Sequence, residues 1–320
     1  MSYIISLKKS RKWFQFCKEV SATINNQNKE EVLNLYLESI SQYHPLTIAE
    51  TTLKICKVVH SIALLEKSID TIKECSMYQG DFSVQIIHLE IQKNLFRVEE
   101  GDFEGIEKHL FELKTSQKDL PTRVVEIYHF LGFKYFEKTG NLEYAINHLV
   151  SYVELSKDET VYSTLARYTL VSPTFFNFLK IYSIISSTST GDLYTDIYEI
   201  VQNGDTKKIL EKKKYLEDTF GEDSRNIIEK THFIKLINLC FKEKSRQISL
   251  EKLQEDLGTE IHSFLLRAFG LGLIKGWVDG NILYFSTILP RTLPTEELEK
   301  MKEKYSNWRK KVGETIAMIQ

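Results

Sequence analysis

Histidine is the side chain best placed to do chemistry near neutral pH, and this chain has eight. Four of them, His88, His109, His129 and His148, recur roughly every twenty residues, which invites a metal reading. A helix that binds metal through histidine sets ligands at neighbouring turns, and no histidine or cysteine follows any of the four at i+3 or i+4. The recurrence is that of packing residues, one to each helix of a series. No G-x-x-x-x-G-K-S/T, G-x-S-x-G or H-E-x-x-H occurs, so a phosphate cradle, a nucleophile elbow and a zincin site all lack their residues. Gly270-Leu271-Gly272 has no third glycine and follows a helical stretch, so it reads as a turn and not a dinucleotide loop. Glu30-Glu31 and Glu99-Glu100 read as solvated helix faces, and so does the charge run Lys207 to Lys214. The expectation is a protein with no catalytic residues, no cofactor and no metal.

The four cysteines, Cys17, Cys56, Cys75 and Cys240, are scattered with no C-x-x-C pair, as expected for reduced thiols in the cytoplasm or nucleus. Basic and acidic residues nearly balance, 42 against 44, so no global field draws the chain to nucleic acid or to an anionic membrane. No apolar run reaches the ~18 residues that span a bilayer. The apolar start before Lys8, Lys9, Arg11 and Lys12 is too short for a signal peptide, and its charges are on the wrong side.

What must position any functional surface is mostly helix, since 320 residues carry only five prolines and fourteen glycines. Val32, Leu33, Leu35, Tyr36, Leu37 and Ile40 make one helical face. His44-Pro45 breaks the chain, Leu46 to Leu65 reads as a second long helical segment, and a shorter helix through Ile69 and Ile72 leads to Gly80. Gly101-Asp102-Phe103-Glu104, ending His109-Leu110, is echoed by Gly140-Asn141-Leu142-Glu143, ending His148-Leu149. Gly80-Asp81-Phe82 is a fainter copy, and Gly204-Asp205 begins another helix. Turn glycine, Asp or Asn cap, then amphipathic helix is the pattern of stacked helical hairpins. An aromatic cluster, Phe175-Phe176-Asn177-Phe178, and a loop from Ser186 to Gly191 follow. Then come helical segments Leu193 to Val201, Lys207 to Phe220 and Ser224 to Phe241.

The stretch Gln247 to Pro290 reads as a winged helix. Ser249 caps Leu250 to Leu257, which Gly258 stops, and Thr259 caps Glu260 to Leu271. Two β-rich runs around Asp279-Gly280 form a hairpin. From Arg246 to Pro290 four basic residues face five acidic ones, and the second helix offers only His262 and Arg267 as cations, so protein contact is the better use than DNA. Trp277, Tyr284 and Phe285 form a candidate contact patch, although alternation turns some hairpin residues toward the small core. Beyond an extended link between Pro290 and Pro294, Thr295 caps a last helix. There Leu298, Met301, Tyr305, Trp308, Val312 and Ile319 fall at heptad spacing, with Thr315 in the remaining core position.

Helical repeats, a winged helix and a terminal helix in this order resemble the PCI-domain family, found in the proteasome lid, the COP9 signalosome and translation initiation factor three. Gly270-Leu271-Gly272-Leu273-Ile274-Lys275-Gly276-Trp277-Val278-Asp279, Leu289-Pro290-Arg291 and the helix from Met301-Lys302 to Trp308 are most similar to proteasome-lid members. Pro45-Leu46 with Glu50, and Phe176-Asn177-Phe178, also resemble that branch. The implied fold is mainly α: a right-handed, TPR-like α-solenoid (1–140), the helical part of a PCI domain (141–246), a winged helix (247–290) and a C-terminal bundle helix (291–320). The implied function is a non-catalytic scaffold in a hetero-oligomer with PCI and MPN subunits, near the ubiquitin receptor. Its interface residues would be Ile274, Trp277, Val278, Ile282, Tyr284 and Phe285 on the hairpin, and Leu298, Met301, Tyr305, Trp308 and Val312 on the last helix.

Overall fold

The computed structural model describes residues 2–319 apart from 26, 76, 77, 79, 186–191, 259 and 290–294. The loop expected at Ser186 to Gly191, the Thr259 cap and the link between Pro290 and Pro294 lie outside the described residues. The chain is mainly helical with one small antiparallel sheet and a long C-terminal helix. It divides into two compact units, Met1–Lys157 and Asp158–Gln320.

The first unit contains α1 (Ser2–Lys9), α2 (Trp13–Thr23), α3 (Lys29–Leu37), α4 (Pro45–Ile55), α5 (Ile62–Lys73), α6 (Ser83–Glu100), α7 (Ile106–Ser116), α8 (Thr122–Lys138) and α9 (Leu142–Ser156). Helix α4 packs on α5 and α6, α5 on α6, α6 on α8 and α8 on α9, as in a stack of helical repeats. Ile4, Phe16, Val20, Val32, Tyr36, Ile48 and Leu65 belong to one continuous core. The expected segment from Leu46 to Leu65 is two helices. After Ile55 the N–H groups of Val58 and Val59 both bond to the Ile55 carbonyl (2.9 Å each), and the Ser61 hydroxyl accepts from Leu64 N–H to start α5. Adjacent β-branched valines disfavour helix there, and a capping serine restarts it. Ile69 and Ile72 lie on this same α5, so they form no separate short helix. Ile40 sits in a 3₁₀ turn, Ile40–Gln42, beyond the end of α3.

The two copies of the glycine-led echo differ. At Gly140 (φ 79°) the chain turns, and the Asn141 side chain accepts from Tyr144 N–H to cap α9. At Gly101 (φ 86°) the expected cap, Asp102, instead accepts from Arg97 Nε (2.8 Å) and Glu104 N–H (3.2 Å). A second left-handed glycine, Gly105, delays α7 to Ile106. The weaker copy also starts a helix, with Asp81 accepting from Ser83 N–H at the head of α6.

The second unit contains α10 (Tyr162–Val171), α11 (Phe178–Ile185), α12 (Asp192–Asn203), α13 (Thr206–Glu211), α14 (Lys213–Phe220), α15 (Ser224–Lys242), β1 (Gln247–Ser249), α16 (Leu250–Leu257), α17 (Ile261–Gly270), β2 (Ile274–Asp279), β3 (Ile282–Ile288) and α18 (Thr295–Ile319). Gly204-Asp205 does begin a helix, the Asp205 carboxylate accepting from Lys208 N–H. The stretch Lys207 to Phe220 is broken at Lys212 into α13 and α14, and Lys207, Lys208, Lys213 and Lys214 are exposed. Helices α16 and α17 bury Leu250, Leu253, Leu257, Ile261, Phe264, Leu265 and Ala268 on the core of their own unit. Gly258 stops α16 in a left-handed conformation, but Ser249 makes no side-chain capping bond. The sheet runs β1-β3-β2, all antiparallel, so a third strand unforeseen from the sequence completes the wing.

Candidate protein-interaction surfaces

The wing is built so that one face of the hairpin is core and the other is surface. Ile274, Leu283 and Phe285 are buried, Ile282 and Tyr284 are half-buried, and Trp277 and Val278 are exposed. Of the six hairpin residues predicted from the sequence, Ile274 and Phe285 therefore face their own core. Trp277 and Tyr284 are cross-strand partners with stacked rings, centroids 5.4 Å apart and planes 10° apart. That stack presents a flat apolar plate, with Trp277 59% exposed. Strand β2 is an edge strand, leaving Lys275 to Asp279 at the open side of the sheet. A bulge skips Ser286 between the pairs Lys275↔Thr287 and Gly276↔Phe285. Glycine is required at 276, because a Cβ there would stand 2.0 Å from the Tyr284 carbonyl oxygen.

On α18 the structure brings all five predicted residues to the surface. Leu298, Met301, Tyr305, Trp308 and Val312 are exposed, Tyr305 by 65% and Trp308 by 64%. Ile316, outside the heptad, is exposed as well. Covering one such large side chain stabilises an association by about 1.5–3 kcal/mol, so this helix of 25 residues carries unspent binding capacity along a length of ~37 Å.

On α17, the would-be recognition helix, His262, Ser263, Leu266 and Arg267 are exposed. Arg267 is already paired with Glu229 (2.6 Å), so its charge is neutralised within the chain. Beneath α17, Phe264 stacks on Phe233 of α15, centroids 4.5 Å apart.

The Phe176-Asn177-Phe178 motif has a structural role that sequence reasoning missed. Lys230 of α15, only 2% exposed, donates to the carbonyls of Thr169 (2.6 Å) and Leu170 (3.1 Å) in the last turn of α10. Its ammonium lies 5.0 Å from the Phe178 ring centre and 5.8 Å from that of Phe176. Carbonyls at a helix end and two ring faces replace the water this amine gives up. Burial still holds its pKa well below the usual lysine range. A periodicity clue existed: Lys230 sits on the same stripe as Ile227 and Ile234.

The four recurrent histidines lie half-buried among the helices of the first unit. His109 on α7 receives Asn94 Nδ2 of α6 (2.6 Å), and His129 of α8 shares a hydrogen bond with His148 of α9 (3.3 Å). His148 packs over Gly132, where an added Cβ would stand 2.2 Å from the ring. Burial holds His88, His129 and His148 down to about 4, so they are neutral near pH 7. Burial likewise pushes the thiols of Cys17, Cys56 and Cys240 up to about 12, which keeps them protonated. Among the described residues no group of three or more His, Cys, Asp or Glu is arranged to hold a metal, and no helix is long and apolar enough to cross a membrane.

No model of a known protein family matches the chain. Among curated proteins, it is 21% identical over 344 aligned residues to the 26S proteasome non-ATPase regulatory subunit 13 homolog B of Arabidopsis thaliana, covering 92% of this chain and 85% of that protein. Homolog A of the same plant is 22% identical over 332 residues, covering 88% of this chain and 83% of that protein. The apolar hairpin plate and the bare α18 stripe thus belong to a chain that is similar, over most of its length, to regulatory subunits of the 26S proteasome.

Proposed function

We propose that this chain is a non-catalytic scaffold subunit of the proteasome regulatory particle lid, acting in ubiquitin-dependent protein degradation. The observation that carries the reading is the α18 stripe, whose large apolar residues are spaced for a helical bundle yet exposed. Similarity to regulatory subunits of one large assembly supports the reading that the missing helices come from other subunits of it. In this reading α18 enters a bundle of terminal helices from other PCI and MPN subunits. The open edge of β2, with the Trp277 and Tyr284 plate beside it, adds to a neighbouring wing. The repeats of the first unit lie near the MPN subunits and the ubiquitin receptor, in cytoplasm and nucleus. Nucleic acid is not a partner: the winged helix has an acidic surplus, and Arg267 is committed to Glu229.

The test is a mild affinity purification of the tagged chain with mass spectrometry of what accompanies it. Proteasome ATPases and MPN subunits are the expected company. Signalosome or initiation-factor subunits would keep the fold and move the function, and a solitary chain would refute the scaffold reading.

A further inference from the structure

A groove of about 460 Å³ on the first unit has no part in the surfaces described above and stands independently of the proposed function. It lies between α4, the first turn of α6 and the first turn of α8. Leu53, Val84 and Val124 contribute its apolar lining. Around it stand three exposed cations, Lys54, Lys57 and Arg123, against one exposed carboxylate, Glu50. None of the three cations has an ion-pair partner among the described residues, whereas Lys73 is paired with Glu90 and Lys93 with Glu66. Arg123 sits in the first turn of α8, whose free N–H groups add positive potential, whereas the head of α6 is capped by the Asp81 carboxylate. His88, kept neutral by burial and by Arg123, adds no charge.

Gln85 lines the groove, and its Oε1, turned into the protein, is buried and accepts no hydrogen bond among the described residues. A buried acceptor left without a donor costs about 1–3 kcal/mol, so natural folds keep few of them. Turned toward the groove, it would be satisfied by an occupant offering an N–H. A bare anion offers none, and it would leave the apolar lining uncovered.

We propose that this groove binds an acidic peptide segment of a partner protein. An apolar side chain would fill the lining, a backbone N–H would reach Gln85, and flanking carboxylates would meet Lys54, Lys57 and Arg123.

The probe is a short fluorescein-labelled peptide with Glu and Asp flanking a central Leu-Phe pair, titrated with the full chain and followed by anisotropy. Saturable binding is expected. It should weaken about tenfold in Lys54→Glu/Lys57→Glu and when the peptide's carboxylates are replaced by amides. Both lysines are exposed, so circular dichroism should show that variant folded as before. Gln85→Leu gives an independent reading: removing the orphan acceptor should raise the stability of the free chain while weakening the peptide. The proposal is overturned if binding fails to saturate by ~1 mM peptide, or if it ignores the charge reversal. It is also overturned if inorganic phosphate abolishes binding at an ionic strength where chloride spares it, since the site would then be one for simple anions.

Discussion

Helices α16 and α17 on one side, and α18 on the other, carry apolar stripes of much the same spacing and meet opposite fates. The first pair lays Leu253, Leu257, Phe264 and Leu265 into a core, while α18 holds Leu298, Tyr305 and Trp308 in water. Periodicity thus determines that a face exists and leaves open what covers it. Side-chain type differs too: α17 turns only Phe, Leu, Ile and Ala inward, whereas the α18 stripe holds Tyr and Trp, whose polar tips suit surfaces that alternate between wet and dry.

The comparison breaks first at Phe264. Phe264→Ala should cost about 3–5 kcal/mol in chemical denaturation, because it removes a ring stacked on Phe233 and leaves a cavity. An effect close to zero would mean that α17 is as uncommitted as α18. Gly132→Ala should cost about 1–3 kcal/mol by forcing α8 from His148, and the same denaturation experiment reads it.

Acid sharpens the contrast by acting on a buried face alone. The folded state holds His88, His129 and His148 down to about 4, below their usual 6.5, so it binds fewer protons than the unfolded chain. Stability is therefore unaffected above the unfolded value and falls as pH drops from 6.5 toward 4. His148→Gln should flatten that fall in a urea midpoint series. A series that stays level between these limits would show the rings already solvated.

Caps give smaller effects, and two of them separate neatly. Asn141→Ala should cost about 1 kcal/mol, since its side chain caps α9, whereas Ser249→Ala should cost little, since its hydroxyl caps nothing. Smallest of all in stability is the pair Trp308→Asp and Val312→Asp. Both positions are exposed, so the isolated chain should shift by no more than about 0.5 kcal/mol. Incorporation into the proposed complex, judged by size-exclusion chromatography of lysate, should nevertheless be lost. Normal incorporation would remove α18 from the interface.

The stretch from α16 to β3 was the most legible part of the chain because its signals are local. Gly258 and Gly280 take left-handed conformations, and leucines at helical spacing fall where the core needs them. Strand β1 was not legible: three residues are too few to show alternation, and their partner on β3 lies more than thirty residues away. The break after Ile55 hid inside an apolar run whose composition suits one helix or two. Asp102 was misread because a side chain with two possible donors chose Arg97 and Glu104 over a helix start. At the candidate surfaces, spacing picked out five α18 residues that the structure leaves exposed. Ile274 and Phe285 were assigned to the wrong side of the hairpin, since alternation gives two faces without saying which is inward, and the bulge at Ser286 shifts the register between them.

The enclosure of Lys230 has a use in the laboratory. Acylating reagents modify lysines at the rate at which amines meet solvent, and the lysines at 207, 208, 213 and 214 are open to them at once. Lys230, shut between the last turn of α10 and two phenylalanine rings, can react only when α10 and α15 part. The mass shift at this one position in a timed labelling series would therefore clock the opening of the second unit, with no probe added and no residue changed.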